Sequence, residues 1–231
     1  MMIIKGMQKL TLIDYPGKVA CTLFTFGCNF RCPYCQNPEL VIGTPDNAIE
    51  EKTILEFLEE RKGFLDAVCI TGGEPTLYED LPEFIKKIKN IGYLIKLDTN
   101  GTNLEMLKRV VEENLIDYIA MDIKAPLERY EEVVRVEVDE EEIRRTTDFI
   151  MKCGLEYEFR TTVVPGLIGK EDIEKIGEWL EGAEKYYIQQ FNNEKVLDPS
   201  FKQKEPYSIQ ELEELAEIAR KYFQKVEIRG V

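Results

Sequence analysis

Three thiols fall within eight residues of this 231-residue chain, at Cys28, Cys32 and Cys35 in the segment Gly27-Cys28-Asn29-Phe30-Arg31-Cys32-Pro33-Tyr34-Cys35-Gln36-Asn37-Pro38. An odd number of cysteines argues against local disulfides. A structural zinc site takes paired Cys or Cys-His knuckles, but this chain contains no His and no second cysteine knuckle. An iron–sulfur cluster suits the spacing better. A cubane has four irons, each wanting one external ligand, and a short loop can wrap three of them with thiolates. The fourth iron is then left without a protein ligand, a corner where a small molecule can bind and receive an electron.

The missing imidazole removes several chemistries at once. Ser-His-Asp triads, Cys-His pairs and histidine proton relays all need a nitrogen base that titrates near neutrality. The 30 Lys plus Arg against 44 Asp plus Glu give a net charge of -14, a field that repels phosphate backbones and anionic membranes. Neither nucleic acid nor a membrane is expected as a partner. Residues 1–10 interleave lysines with apolar residues and show no secretory signal, and the longest apolar run, 19–26, is too short to span a bilayer. A cytoplasmic protein is expected, its cysteines metal-binding or catalytic rather than disulfide-bonded. A hydrophobic content of 44% at this length supports one full core, so residues 1–231 are read as a single domain.

The elements that must position the thiols follow from periodicity. Runs rich in β-branched and aromatic residues at 19–26, 67–71, 93–98, 118–123, 157–164, 186–191 and 226–228 predict strands. Between them, 49–61, 81–90, 104–113, 140–152, 171–180 and 209–222 have the period of amphipathic helices. This α/β alternation fits either a doubly wound sheet or a barrel. The acidic run 137–142 reads as a solvated helix start, and 126–135 as a short extra helix after the fourth strand that could contact substrate. Cys21, Cys69 and Cys153 stand alone in or beside apolar runs and read as small core residues, as Trp179 does on its helix.

The spacing CxxxCxxC, with an aromatic just before the last cysteine, resembles the signature of the radical S-adenosylmethionine (SAM) superfamily. Around it stand Asp14-Tyr15-Pro16-Gly17 before the first predicted strand and Thr71-Gly72-Gly73-Glu74-Pro75 after the second. Asp98-Thr99-Asn100-Gly101 follows the third, and Met121-Asp122-Ile123-Lys124 ends the fourth. Together these resemble the activating enzymes of glycyl-radical proteins, of the anaerobic ribonucleotide reductase and pyruvate formate-lyase type. All but the first motif end a predicted strand, the face where β/α barrels assemble active sites. The resemblance implies an incomplete (β/α)6 TIM-type barrel whose open side admits part of a protein substrate.

Carried over residue by residue, the resemblance makes Cys28, Cys32 and Cys35 the ligands of a 4Fe-4S cluster whose fourth iron chelates SAM. It places Tyr34 against the adenine and makes Gly72, Gly73 and Glu74 the receptor of the SAM ammonium. Asp98, Thr99 and Asp122 would hold a monovalent cation beside the SAM carboxylate, and Lys124 would pair with that carboxylate. Val164, with Val163 and Pro165, matches an adenine-contacting segment, and Ile123 and Gln190 fall in cofactor-contacting motifs. Two positions depart from the family: Gln36 stands where a His commonly follows the third cysteine, and Gln189, Gln190 and Phe191 stand where some relatives have His. Gln hydrogen-bonds but does not titrate near neutrality, which leaves the partner less defined.

The implied activity is an oxidoreductase chemistry: one electron cleaves SAM to methionine and a 5'-deoxyadenosyl radical, which generates a glycyl radical on a partner enzyme under anaerobic conditions. A ferredoxin or flavodoxin would be the reductant. The first rival is a radical SAM enzyme acting on a small molecule, nucleoside or peptide. The second is a non-enzymatic iron–sulfur or structural metal protein, which leaves the other strand-end motifs unexplained.

Overall fold

The structure is a computed structural model and describes residues 2–231. Eight strands form one sheet in chain order: β1 (Ile4–Thr11), β2 (Ala20–Thr25), β3 (Ala67–Gly72), β4 (Leu94–Thr99), β5 (Tyr118–Asp122), β6 (Glu156–Val163), β7 (Lys185–Gln190) and β8 (Lys225–Arg229). The helices are α1 (Pro38–Val41), α2 (Glu51–Glu60), α3 (Leu81–Ile91), α4 (Leu104–Glu112), α5 (Tyr130–Val134), α6 (Glu140–Lys152), α7 (Lys170–Trp179) and α8 (Ile209–Ala219).

Strand order decides between the two architectures left open by the alternation. A doubly wound sheet reverses its order at a switch point. Here no reversal occurs, so successive crossovers wind in one sense, as in a β/α barrel. β2 with β3, β3 with β4, β6 with β7, and β7 with β8 all pair in parallel, whereas β1 runs antiparallel to β2. The fold is thus α/β with a parallel-dominated sheet.

By chain contacts the molecule divides into two compact units. The first comprises Met1–Asn29, Glu39–Thr99 and Asn103–Ile119; the second comprises Phe30–Pro38, Asn100–Thr102 and Ala120–Val231.

In the first unit, β2 and β3 are buried almost throughout, as expected of parallel strands covered on both faces. α3 buries Leu81, Phe84, Ile85, Ile88 and Ile91, the i, i+3, i+4, i+7 stripe of its sequence. α4 is capped by Asn103, whose Oδ1 accepts from the Met106 N–H at 3.0 Å while its Nδ2 donates to the Thr76 carbonyl at 2.7 Å. That cap ties the helix after β4 to the turn after β3. β1 was not expected. Its sequence mixes Gly6, two lysines and a glutamine, and most of its residues are half-buried or exposed, so no clean apolar alternation marks it.

In the second unit the acidic run starts α6 as expected, with the Asp139 carboxylate accepting from the Glu141 and Glu142 N–H groups. Residues 126–135 form a 3-10 turn, Leu127–Arg129, that runs into α5. α8 opens with a capping box in which Ser208 and Glu211 satisfy each other's backbone N–H. It ends at Ala219, three residues before its expected end. One expectation needs correction: Cys153 is half-buried at the end of α6 and donates to the Ile150 carbonyl, whereas Cys21 and Cys69 are fully buried. A helix terminus leaves carbonyls free to accept even a weak S–H.

Candidate active site

The motif residues sit where strands end. β3 ends at Gly72, β4 at Thr99 and β5 at Asp122, and the cysteine segment begins two residues beyond β2. The chain passes between units inside that segment, so Cys28 belongs to the first unit and Cys32 and Cys35 to the second.

In the first unit, Gly72 and Gly73 bring the end of β3 against the backbone that leads into Cys28. Gly73 N–H donates to the Thr25 carbonyl at 2.9 Å and Glu74 N–H to the Gly27 carbonyl at 2.8 Å. A Cβ on Gly73 would lie 1.8 Å from the Gly27 oxygen, and Gly72 has φ +120°, so neither position accepts a side chain. Tyr78 adds a third link by donating its hydroxyl to the Phe26 carbonyl at 2.5 Å. The glycines therefore have a packing role within the chain, in addition to any role toward a ligand.

Glu74 is buried, at 1% exposure. Its Oε1 accepts from Thr76 N–H at 3.1 Å, Thr76 hydroxyl at 2.6 Å and Thr99 hydroxyl at 2.8 Å, which joins two of the expected site residues. Asp98 has a partner that sequence reading missed: its Oδ1 lies 2.5 Å from the Nζ of Lys96, which is 1% exposed. Lys96 also sits over the Tyr118 ring, 5.9 Å from its centroid. Thr22, Cys69 and Lys96 share one register row across β2, β3 and β4. Below them Asp14 accepts from the Thr22 hydroxyl at 2.6 Å, and Tyr15 packs on Tyr118 at 5.6 Å, which gives the Asp14-Tyr15-Pro16-Gly17 motif a structural role. Burial pushes the Cys69 thiol well above its ordinary range, so it is a poor thiolate donor.

In the second unit, Cys35 N–H donates to the Cys32 carbonyl at 3.0 Å, making a tight turn around Tyr34. Arg31 N–H bonds the Val134 carbonyl and Asp198 N–H bonds the Pro33 carbonyl, both at 2.9 Å, fixing this half of the loop. Tyr34 is buried, and its hydroxyl has no hydrogen-bond partner among the described residues. Burial raises that phenol well above its ordinary range, helped by Cys32.

Asp122 Oδ1 meets Arg160 Nε at 2.5 Å and its Oδ2 meets Lys124 Nζ at 3.2 Å. Burial pushes the Asp122 carboxyl up, but the two cations outweigh it and hold it well below the usual carboxylate range. Burial likewise works against the Lys124 ammonium, and Asp122 and Cys32 outweigh it. Ile123 is fully buried and donates its N–H to the Arg160 carbonyl at 2.9 Å. Arg160 lies 3.9 Å from Glu158, which is clasped by Arg229 at 2.7 and 3.0 Å.

Val164 is fully buried, and its carbonyl accepts from Leu167 and Ile168 at 2.9 Å, the arrangement of a core residue in a turn. Gln190 donates to the Tyr207 carbonyl at 2.5 Å, and its Oε1 is buried without a hydrogen-bond partner among the described residues. Gln36 is half-buried.

None of the six cysteines forms a disulfide among the described residues. Among the described residues no group of three or more Cys, Asp or Glu converges as a single metal ion would require. A cluster asks for something else, because each thiolate takes its own iron. Three thiols within eight residues, none of them in a disulfide, suit it. The unpartnered Tyr34 hydroxyl and Gln190 oxygen, with the Lys124 ammonium, likewise suit a polar ligand such as SAM. A monovalent cation fits less well, since Asp98 and Asp122 each already face a cationic side chain.

The profile of the radical SAM superfamily matches residues 22–181. A Methanocaldococcus jannaschii protein named "Putative glycyl-radical enzyme activating enzyme" is 36% identical over 99% of this chain and 96% of its own length. Among solved structures, Streptococcus suis SuiB bound to S-adenosylmethionine superposes with a TM-score of 0.69 at 16% identity, over 88% of this chain and 48% of SuiB. This chain thus spans about half the length of SuiB. A domain of pyruvate-formate lyase-activating enzyme from Bacteroides vulgatus matches with a TM-score of 0.56 at 18% identity, over 71% of this chain and 99% of that one. At such identities the two structures speak to the fold, an incomplete β/α barrel. The profile covers more than half of the chain and the archaeal relative nearly all of it, and on that ground the chain belongs to the radical SAM superfamily, whose members use a 4Fe-4S cluster and SAM.

Proposed function

We propose that the chain is a glycyl-radical enzyme activating enzyme, working as a single core domain over residues 1–231. The observation that carries this reading is the full-length similarity to the archaeal protein of that name, at 36% identity over 96% of that protein. When bound, the cluster and SAM supply a one-electron cleavage of the sulfonium and a hydrogen-abstracting radical. The chain's own residues then have to bind, orient and exclude water.

Cys28, Cys32 and Cys35 hold three irons. Tyr34 and Val164 lie toward the adenine and Gln36, Ile123 and Gln190 contact the cofactor; the Tyr34 hydroxyl and Gln190 oxygen are two of the three buried polar side-chain atoms without a hydrogen-bond partner among the described residues. Gly72, Gly73 and Glu74 receive the SAM ammonium, and Lys124, held charged by Asp122, pairs with the SAM carboxylate. The partner presents a glycine whose α-hydrogen is removed. A ferredoxin or flavodoxin delivers the electron, and the reaction runs in an anaerobic cytoplasm, where the thiols stay reduced. No helix among the described residues is long and apolar enough to cross a membrane.

The test is anaerobic reconstitution with iron, sulfide, SAM and reductant, followed by electron paramagnetic resonance with each candidate glycyl-radical enzyme. A glycyl doublet on one partner supports the proposal. SAM cleavage without a doublet on any partner overturns it in favour of a peptide, nucleoside or other small-molecule substrate. Absence of SAM binding would point to the non-enzymatic reading.

A further inference from the structure

Lys96 interrupts the apolar run Leu94-Ile95-Lys96-Leu97, which is otherwise fitted to a buried strand. Positions 96 and 98 lie two apart on β4 and share a face. The ammonium is 2.5 Å from the Asp98 carboxylate and rests on the Tyr118 ring, almost fully withdrawn from solvent. A buried carboxylate needs one unit of positive charge nearby, and here the chain supplies it covalently. A sodium or potassium ion placed beside the same carboxylate would have to shed water next to a like charge, at a cost in repulsion and desolvation.

In the second unit Asp122 is served in the same way by Arg160 and Lys124. The electrostatic reason for a monovalent cation is therefore met by side chains at both carboxylates.

We propose that Lys96 is a built-in replacement for the monovalent cation: a positioning residue that holds Asp98 for SAM binding, so that this chain binds SAM without needing sodium or potassium. The inference rests on the SAM-binding reading above. It concerns a residue that the sequence motifs do not contain.

The test compares tetramethylammonium, sodium and potassium chloride at one ionic strength. Thermal unfolding of the cluster-free protein and anaerobic equilibrium dialysis of SAM with the reconstituted protein are measured in each salt. The wild type is expected to melt at one temperature and bind SAM with one Kd across the three salts. Lys96→Met leaves Asp98 without its ammonium, and sodium or potassium should then raise both its melting temperature and its SAM affinity, the latter by about tenfold over tetramethylammonium. Lys96→Met/Asp98→Asn removes both charges, and its melting should again ignore the cation.

If wild-type SAM affinity rises about tenfold in sodium or potassium, the proposal fails whatever the variants do. It also fails if Lys96→Met folds and responds to neither ion. Should Lys96→Met not fold in tetramethylammonium while the double variant does, the carboxylate deprived of its ammonium is the cause, and the proposal stands if sodium or potassium restores the fold of Lys96→Met and fails if neither does. If neither variant folds, Lys96 is needed for folding whatever the state of Asp98, and the proposal fails. Loss of SAM binding in every salt counts against the radical SAM reading alone, because the melting arms still report on Lys96.

Discussion

The six cysteines separate by environment. Burial pushes the Cys21 thiol up to about 12 and Cys69 higher still, whereas Cys28 and Cys35 are partly exposed on the loop. Alkylation of folded, cluster-free protein at mildly alkaline pH should therefore modify Cys28 and Cys35 and leave Cys21 and Cys69 unmodified, as read by peptide mass spectrometry; modification of Cys69 at a similar rate would contradict its buried placement. Linkage gives a second consequence. A thiol with a raised folded pKa contributes stability that is full below its unfolded value, near 8.5, and is lost as pH climbs toward the folded value. Stability should thus decline from about pH 8.5 upward, and Cys21→Ala should flatten part of that decline. Asp122 works in the opposite sense. Its depressed folded pKa contributes stability above the unfolded value of about 3.9 that is lost as pH falls further. Arg160→Met should shift that acid loss to higher pH in a melting series.

Among the elements, the strand ends carry the motif residues, and Asn103 at the start of α4 is bonded to the turn after β3. Ser208→Ala removes the α8 capping box and should cost about 1 kcal/mol, a fall of roughly 2–4 °C in melting temperature, with no effect on cluster content. Gly73→Ala should be far more damaging, since its Cβ meets the Gly27 carbonyl; visible absorbance after reconstitution would report a loss of cluster that Ser208→Ala leaves intact. β2 to β8 were legible in the sequence because each carries β-branched or aromatic residues bounded by turn or helix signals. β1 was not, because an edge strand with one partner tolerates the lysines and glycine that hide its period. The motifs themselves could be read because each is contiguous in the sequence. Lys96, Arg160, Glu158 and Arg229 were not, because a buried charge makes sense only with its counter-ion. For Glu158 that partner lies 71 residues away.

Across the whole molecule the acidic surface sets the choice of encounter. With a net charge of -14, the chain should pass through an immobilised-DNA column even at low ionic strength, and retention there would contradict the exclusion of nucleic acid. Association with a partner whose docking loop is basic would instead slow as salt is added.

The cysteine loop enters from Gly27, which is tied to Glu74, and continues through Arg31 and Pro33, which are tied to Val134 and Asp198. Within each unit the residues so tied have already given up conformational freedom when the chain folds. Cluster uptake then bears less ordering entropy at those anchored positions, which is preorganisation in the sense used for tight ligand sites. Reconstitution should accordingly proceed at a rate set by the supply of iron and sulfide, with far-ultraviolet circular dichroism unchanged from start to finish.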